Sequence, residues 1–314
     1  MTNKSIKLKL NQNGFTLIEF MIATAVFVSV IAAGSGFFSN LNRSAIVNEE
    51  MVDMQQDIRM AMVTLVRDIS MAGYGINPSF GACGTGLTPT NSNTGPDAIA
   101  VASMSNVAGT LGVAALTGAT QLTILASPPA VVPPLGQISI DGIKTVNAVL
   151  SAGNVVNITP VLTGAAGGVG ENYAIGTQIL TPSCIQYTVD TATRTLNRNV
   201  DGVVSLLANG VLDMQFAYAL DANDDNLIDD TDGNGTFSAG DFVSVPATLG
   251  DIRLVRVSLF IQSARNNTNY VLGAPLTLED HDPTTDVGYD IINYSPFRSR
   301  VLTRIVRPRN IGLP

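Results

Sequence analysis

The sequence predicts an α+β protein in which one long N-terminal helix packs on an antiparallel β-sheet domain. Three observations lead there. Residues 15–38 are apolar except for one carboxylate, Glu19; roughly 20 apolar helical residues cross the hydrocarbon core of a bilayer. From Val47 onward the apolar positions Met51, Met54, Ile58, Met62, Leu65, Ile69 and Ala72 recur in steps of three or four, which is a helical stripe. Beyond residue 77 the chain turns to short β-branched runs separated by Gly, Asn and Pro clusters, the pattern of strands and turns.

The apolar run is preceded by Lys4, Lys7 and Lys9 with no acidic residue among them. Lysines on one flank place the leader in the cytoplasm and the remainder outside. A secretory signal peptide would be cut after its apolar region, whereas here the small residue, Gly14, comes before it. Glu19 is costly in hydrocarbon, so it reads as functional and calls for a cationic partner.

The stretch Gly14-Phe15-Thr16-Leu17-Ile18-Glu19 resembles the N-terminal segment of the type IV pilin and type II secretion pseudopilin superfamily. The resemblance implies cleavage after Gly14 by a prepilin peptidase, N-methylation of the new terminus Phe15, and an assembly role for Glu19. The amine of Phe15, its own or a neighbour's, is then the natural partner of that carboxylate. A narrower similarity, to PilW-type minor pilins, rests on residues 54–75 (MQQDIRMAMVTLVRDISMAGYG) and 297–310 (FRSRVLTRIVRPRN). Together these imply a pilin-like fold and a bacterial minor pilin that works with other minor and major pilins in a type IV pilus or its initiating tip complex. They place it in the inner membrane with a periplasmic domain before it reaches the pilus or cell surface. A minor pseudopilin of type II secretion shares the helix and the motif. A membrane-anchored calcium-binding adhesin that never assembles is the alternative of another class.

The expected organisation is a leader at 1–14, a membrane and assembly helix at 15–39, an amphipathic helix at 40–76 that packs on the globular domain, and a β-rich domain at 77–314. Gly34 and Gly36 weaken the helix near its change of character, each by roughly 1 kcal/mol relative to alanine, and Gly73, Gly75 and Pro78 stop it. Glu49, Glu50, Asp53, Gln56, Asp57, Arg67 and Asp68 lie off the stripe and are expected in solvent. Strand-like runs occur at 97–103, 121–126, 137–143 and 155–161. A clearer β block alternates Leu212, Met214, Phe216, Tyr218 and Leu220 with a second set, Val255, Val257, Leu259 and Ile261, predicting half-buried strands that face one core.

The composition, 46% hydrophobic and 13% charged over 314 residues, suits one or two domains beyond the anchor. The net charge is −8, falling to about −11 once three leader lysines are removed, so no nucleic-acid surface is implied. Cys83 and Cys184 both fall in the part expected outside the membrane, where a disulfide between them persists; two unpaired thiols are the alternative.

The run from Asp221 carries the other chemical signal. Asp221, Asn223, Asp225, Leu227 (through its carbonyl), Asp229 and Asp232 fit an EF-type calcium loop without its helices, with Asn226 at the left-handed position. A second match starts nine residues later with Asp230, Asp232, Asn234, Thr236 (carbonyl), Ser238 and Asp241. Alternating oxygen ligands around a tight turn suit a hard cation, and the loops resemble those of dockerins and thrombospondin repeats, so one or two Ca²⁺ ions are expected, with Asp232 shared. No lysine or arginine lies within 221–241, so carboxylate repulsion is expected to hold the run open unless a cation binds. Enzyme signatures fail: there is no P-loop or dinucleotide fingerprint, and the single histidine, His281, sits among acidic residues in what reads as an exposed loop. Arg298, Arg300, Arg304, Arg307 and Arg309 form the one basic cluster.

Overall fold

The computed structural model describes residues 16–76, 86–125, 135–159, 162, 172–266, 278–282 and 297–311. Helix α1 runs Leu17–Ser70 without a break, passing through Gly34 and Gly36, where an added Cβ would meet nothing within 4 Å. The chain divides into two compact units, Met1–Val52 and Asp53–Pro314. In the first, the apolar side chains of α1 are open to the surroundings, with Leu17 78% and Phe38 68% exposed. By length and composition this helix can cross a membrane.

In the second unit burial on α1 begins at Met54 and continues through Ile58, Ala61, Met62, Leu65, Asp68 and Ile69. The apolar stripe from Met54 onward is therefore the buried face, while Met51 is only half-buried. Asp68 departs from expectation, since it is buried rather than solvated. It stands three residues after Leu65, which puts it on the same face. Its burial is tolerated because it is paired: it accepts the Tyr187 hydroxyl at 2.6 Å and the Arg198 guanidinium at 2.7 Å, and a buried charge needs such partners. Burial, then the hydrogen bond to Asp68, pushes the Tyr187 hydroxyl well above its ordinary pKa.

After Ser70 the chain turns sharply. Gly73 has φ of +79°, and a Cβ there would lie 2.8 Å from the Asn310 carbonyl oxygen, so only glycine fits both the backbone and the space. Its N–H donates to Ala102 at 2.9 Å, and the Arg309 N–H donates to Ser70 at 3.1 Å. The end of α1 is thus tied both to the first sheet and to the C-terminal tail.

Nine strands form an antiparallel sheet: β1 (Leu87–Thr90), β2 (Ala98–Leu111), β3 (Gln121–Leu125), β4 (Leu135–Ile140), β5 (Lys144–Ala152), β6 (Val155–Thr159), β7 (Gln178–Asp190), β8 (Thr195–Val200) and β9 (Val203–Asn209). Their order is β1-β2-β3-β6-β5-β4-β7-β8-β9, and β2 also pairs with β7. That extra pairing, Ile99 with Tyr187 through Thr110 with Gln178, closes β2-β3-β6-β5-β4-β7 into a six-stranded ring. Its interior is aliphatic, with Leu111, Leu122, Ile124, Ile140, Val156 and Ile179 nearly free of solvent. Closure removes the exposed edges that four short strands would otherwise present.

A second sheet has the order β10-β11-β12, with β10 (Val211–Leu220), β11 (Ile252–Asn266) and β12 (Phe297–Val306). Met214, Phe216 and Tyr218 stand opposite Leu259, Val257 and Val255 and are buried as the alternation predicts. The half-buried expectation fails for the other face. Asp213, Gln215, Ala217 and Ala219 are buried as well, because residues 278–282 and the loop bridge at Val243 pack against β10.

Ile58 and Leu65, 4% and 0% exposed, give a direct test of helix packing. Truncating either to alanine is expected to lower the unfolding free energy of a soluble fragment beginning near Asn40 by about 2 to 5 kcal/mol. Losses below about 1 kcal/mol at both sites, measured by denaturant titration, would mean that this face is not the core.

Candidate functional site

The helix junction comes first. Gly14 and Phe15 lie outside the described residues. At Thr16 the hydroxyl accepts the Glu19 N–H at 3.3 Å, while Glu19 Oε2 accepts the Thr16 N–H at 2.9 Å and its hydroxyl at 2.8 Å. This is a reciprocal capping box, which satisfies donors that a helix start leaves orphaned. The Thr-x-x-Glu spacing carries that signal in the sequence. Glu19 therefore stands at the mouth of the apolar helix, with its carboxylate turned back onto Thr16.

The two acidic loops repeat one geometry. In the first, Asp221 accepts the N–H groups of Asp225 and Asn226 at 3.1 and 3.2 Å, and Asn223 accepts Asp225 at 3.0 Å. In the second, Asp230 accepts those of Asn234 and Gly235 at 3.0 and 2.6 Å, and Asp232 accepts Asn234 at 3.1 Å. The sixth position has positive φ in both, +65° at Asn226 and +79° at Gly235. The closing carboxylates also correspond, but not as the template predicts. Asp229 accepts the Ala222 N–H at 2.8 Å, as Asp241 accepts the Thr231 N–H at 2.8 Å. The Asp232 carboxylate is hydrogen-bonded within the second loop, to Asn234 and to the Ser238 hydroxyl at 2.7 Å.

The loops differ in charge balance. Asp221 is fully buried and ion-paired with Arg253 at 3.0 Å, and Arg253 also reaches Asp224 at 3.3 Å. The expectation of uncompensated repulsion is thereby corrected for the first loop: the cation is an arginine brought in by β11, outside the acidic run. In the second loop Asp230, Asp232 and Asp241 bring carboxylate oxygens within 4.8 Å of one another, the one such group among the described residues. Asn234, the Thr236 carbonyl and Ser238 lie on the same loop. The Ser238 hydroxyl, more than any other contact, holds the Asp232 carboxyl below its ordinary range.

Cys184 is disulfide-bonded, while Cys83 lies outside the described residues. His281 is not exposed, as its acidic neighbours suggested, but 1% accessible. Its Nδ1 lies 2.7 Å from Asp213 Oδ2. In the same turn Glu279 pairs with Arg256 and accepts the Ser258 hydroxyl, so residues 278–282 are pinned to the face of β10 and β11. Nearby Asp97 accepts the N–H groups of Ser92 and Phe216 at 2.8 and 2.9 Å. No local spacing in the sequence joins residues 97, 213 and 281; only the sheet does.

Comparison with known proteins adds two findings. Residues 9–35 match the prokaryotic N-terminal methylation motif. Among solved structures, a type IV-like pilin from Thermus thermophilus is similar at 9% identity and a TM-score of 0.38, over 83% of this chain and 100% of that one. No curated protein matches the chain.

Burial raises Asp97 from 3.8 to about 6, against the pull of its two backbone donors. A carboxyl raised on folding favours the folded state below its unfolded value, and that contribution is lost as pH rises through the folded value. Between pH 4 and 7 wild type is therefore expected to lose about 2 kcal/mol relative to Asp97→Asn, following 1.36 kcal/mol per unit. Parallel stability curves for the two proteins over this range, by urea titration, would contradict it.

Proposed function

We propose that this chain is a minor pilin, a structural and assembly subunit of a type IV pilus or of its initiating tip complex. One observation carries the reading: a methylation motif at residues 9–35 runs directly into a capped, uninterrupted apolar helix whose only early carboxylate is Glu19. A prepilin peptidase cuts after Gly14, and Phe15 becomes the methylated terminus. Before assembly the helix lies in the inner membrane, with the lysine-bearing leader in the cytoplasm and the β-rich unit in the periplasm. Glu19 has a partner that needs no new element, since cleavage creates an ammonium four residues away on Phe15. In hydrocarbon such a pair is far less costly than an isolated carboxylate, and a neighbouring subunit's terminus supplies the same charge. The PilW-like features, the Ala-Gly-Tyr exit of α1 and the arginine-rich β12, support placement among minor pilins.

Glu19→Ala is expected to leave the β unit folded and the chain cleaved, yet to reduce its recovery in sheared pili. Normal recovery of the variant would sink the assembly role.

Calcium binding at the second loop is part of the same proposal. Asp230, Asp232 and Asp241, with Asn234, the Thr236 carbonyl and Ser238, supply the oxygen set that a hard cation takes. Aspartate rather than glutamate at the closing position suits an extracellular-grade site, roughly 10⁻⁴ to 10⁻³ M. An ion that binds only the folded state raises the melting temperature. Thermal melts of the soluble fragment with calcium, magnesium and chelator are expected to give a calcium-specific rise that Asp232→Ala abolishes and Asp225→Ala largely keeps. No rise at millimolar calcium, or a full rise in Asp232→Ala, would remove calcium from the account.

A further inference from the structure

The C-terminal strand carries charge that the fold does not use. No Asp or Glu follows Asp290, whereas five arginines do. Elsewhere in this unit arginines are spent on internal partners, Arg198 on Asp68, Arg253 on Asp221 and Arg256 on Glu279. On β12, Arg300 and Arg304 are exposed, and no carboxylate pairs with either among the described residues. The strand is the edge of its sheet. Arg300 and Arg304 stand opposite Ile261 and Val257, so both project from the same face, with Leu302 half-buried between them. At about 3.3 Å per residue they are roughly 13 Å apart.

A row of opposite charge with the same span exists on α1. Glu49, Asp53 and Asp57 are all exposed and follow one another at four-residue intervals, which aligns them along one helical face. At 1.5 Å per residue Glu49 and Asp57 are roughly 12 Å apart. No ion pair engages any of the three among the described residues. Val52, 51% exposed, lies beside this row, and Leu302 lies between the two arginines on their face of β12, so each surface combines charge with apolar area.

We propose that the β12 edge of one subunit docks on the Glu49, Asp53 and Asp57 row of a second copy of this chain, an inference that rests on the pilin reading above. The contact is heterologous: strand meets helix, and each molecule keeps its own helix row and strand edge free for the next. Contacts of that kind build open arrays rather than closed dimers. Matching the span of two charge rows fixes register, and complementary charge steers encounter. Because both rows are exposed, the contact weakens as salt rises past the point where the Debye length falls to about 10 Å.

The test is in-membrane photo-crosslinking of the full chain, with a photoreactive residue in place of Leu302, which lies half-buried between Arg300 and Arg304 on their face of β12. The expected product is a crosslinked pair of chains whose linked peptide contains residues 49–57. Arg300→Glu with Arg304→Glu is expected to cut its yield at least about fivefold, as is Asp53→Arg with Asp57→Arg. Combining all four substitutions in one chain is expected to restore it to within about twofold, which a merely misfolded variant cannot do. Failure to restore, no crosslinked pair in wild type, or a linked peptide elsewhere overturns the proposal and leaves β12 as a solvated edge. A chain cut after Gly14 and recovered in pili that gives no such product refutes this contact alone. A chain never cut removes the pilin reading with it.

Discussion

From Leu17 to Phe38 helix α1 presents apolar side chains on every face, while from Met54 to Ile69 it gives up solvent on one face only. The same continuous helix therefore meets two different surroundings, and the rest of the chain answers to that requirement. An apolar helix of this length has no soluble partner within its own unit, so it needs lipid or neighbouring helices. The outer turns need a surface to bury Ile58, Met62, Leu65 and Ile69, each worth about 1.5 to 3 kcal/mol when removed from water. The two sheets, whose interiors are nearly dry, belong to the same unit as these turns.

Polar groups fix how that attachment is made. Asp68 is the one carboxylate on the buried face of α1, and Tyr187 and Arg198 on β7 and β8 complete it. Removing Arg198 would leave the buried carboxylate with the Tyr187 hydroxyl and the exposed Arg67 as its partners, a larger loss than that of an exposed ion pair. Asp213 with His281 and Arg256 with Glu279 do the same for the turn at 278–282. By contrast the carboxylates of Asp230 and Asp232 are exposed, Asp230 held by backbone N–H groups of its own loop and Asp232 by the Ser238 hydroxyl and Asn234. Buried Asp68 and Asp221 are each paired with an arginine, whereas buried Asp97 and Asp241 are held by backbone N–H groups.

Local order was legible in the sequence. The stripe from Met54 to Ala72, the cap geometry of the acidic loops and the alternation of β10 and β11 are short-range patterns, and each lies where periodicity puts it. What periodicity does not encode is what packs on the other side. Asp68 reads as solvated until β7 and β8 arrive, Asp213 and Gln215 read as the wet face of β10 until residues 278–282 cover it, and Arg253 lies outside the acidic run it neutralises. Strands β5 and β9 were signalled more weakly, by Asp141-Gly142 and Asp201-Gly202, whose positive φ values fit tight hairpin turns. The ring closed by β2 and β7 depends on pairing between residues 68 to 88 positions apart in the chain, and no local spacing announces it.

In the proposed role, Glu19, the apolar helix and subunit contact all depend on cleavage at one bond, after Gly14. Intact-mass and peptide mass spectrometry of the chain isolated from its native membranes measures this directly. The expected result is a chain that begins at Phe15 and carries one methyl group on its α-amine. A chain that begins at Met1, or one cut after the apolar run, would contradict the account.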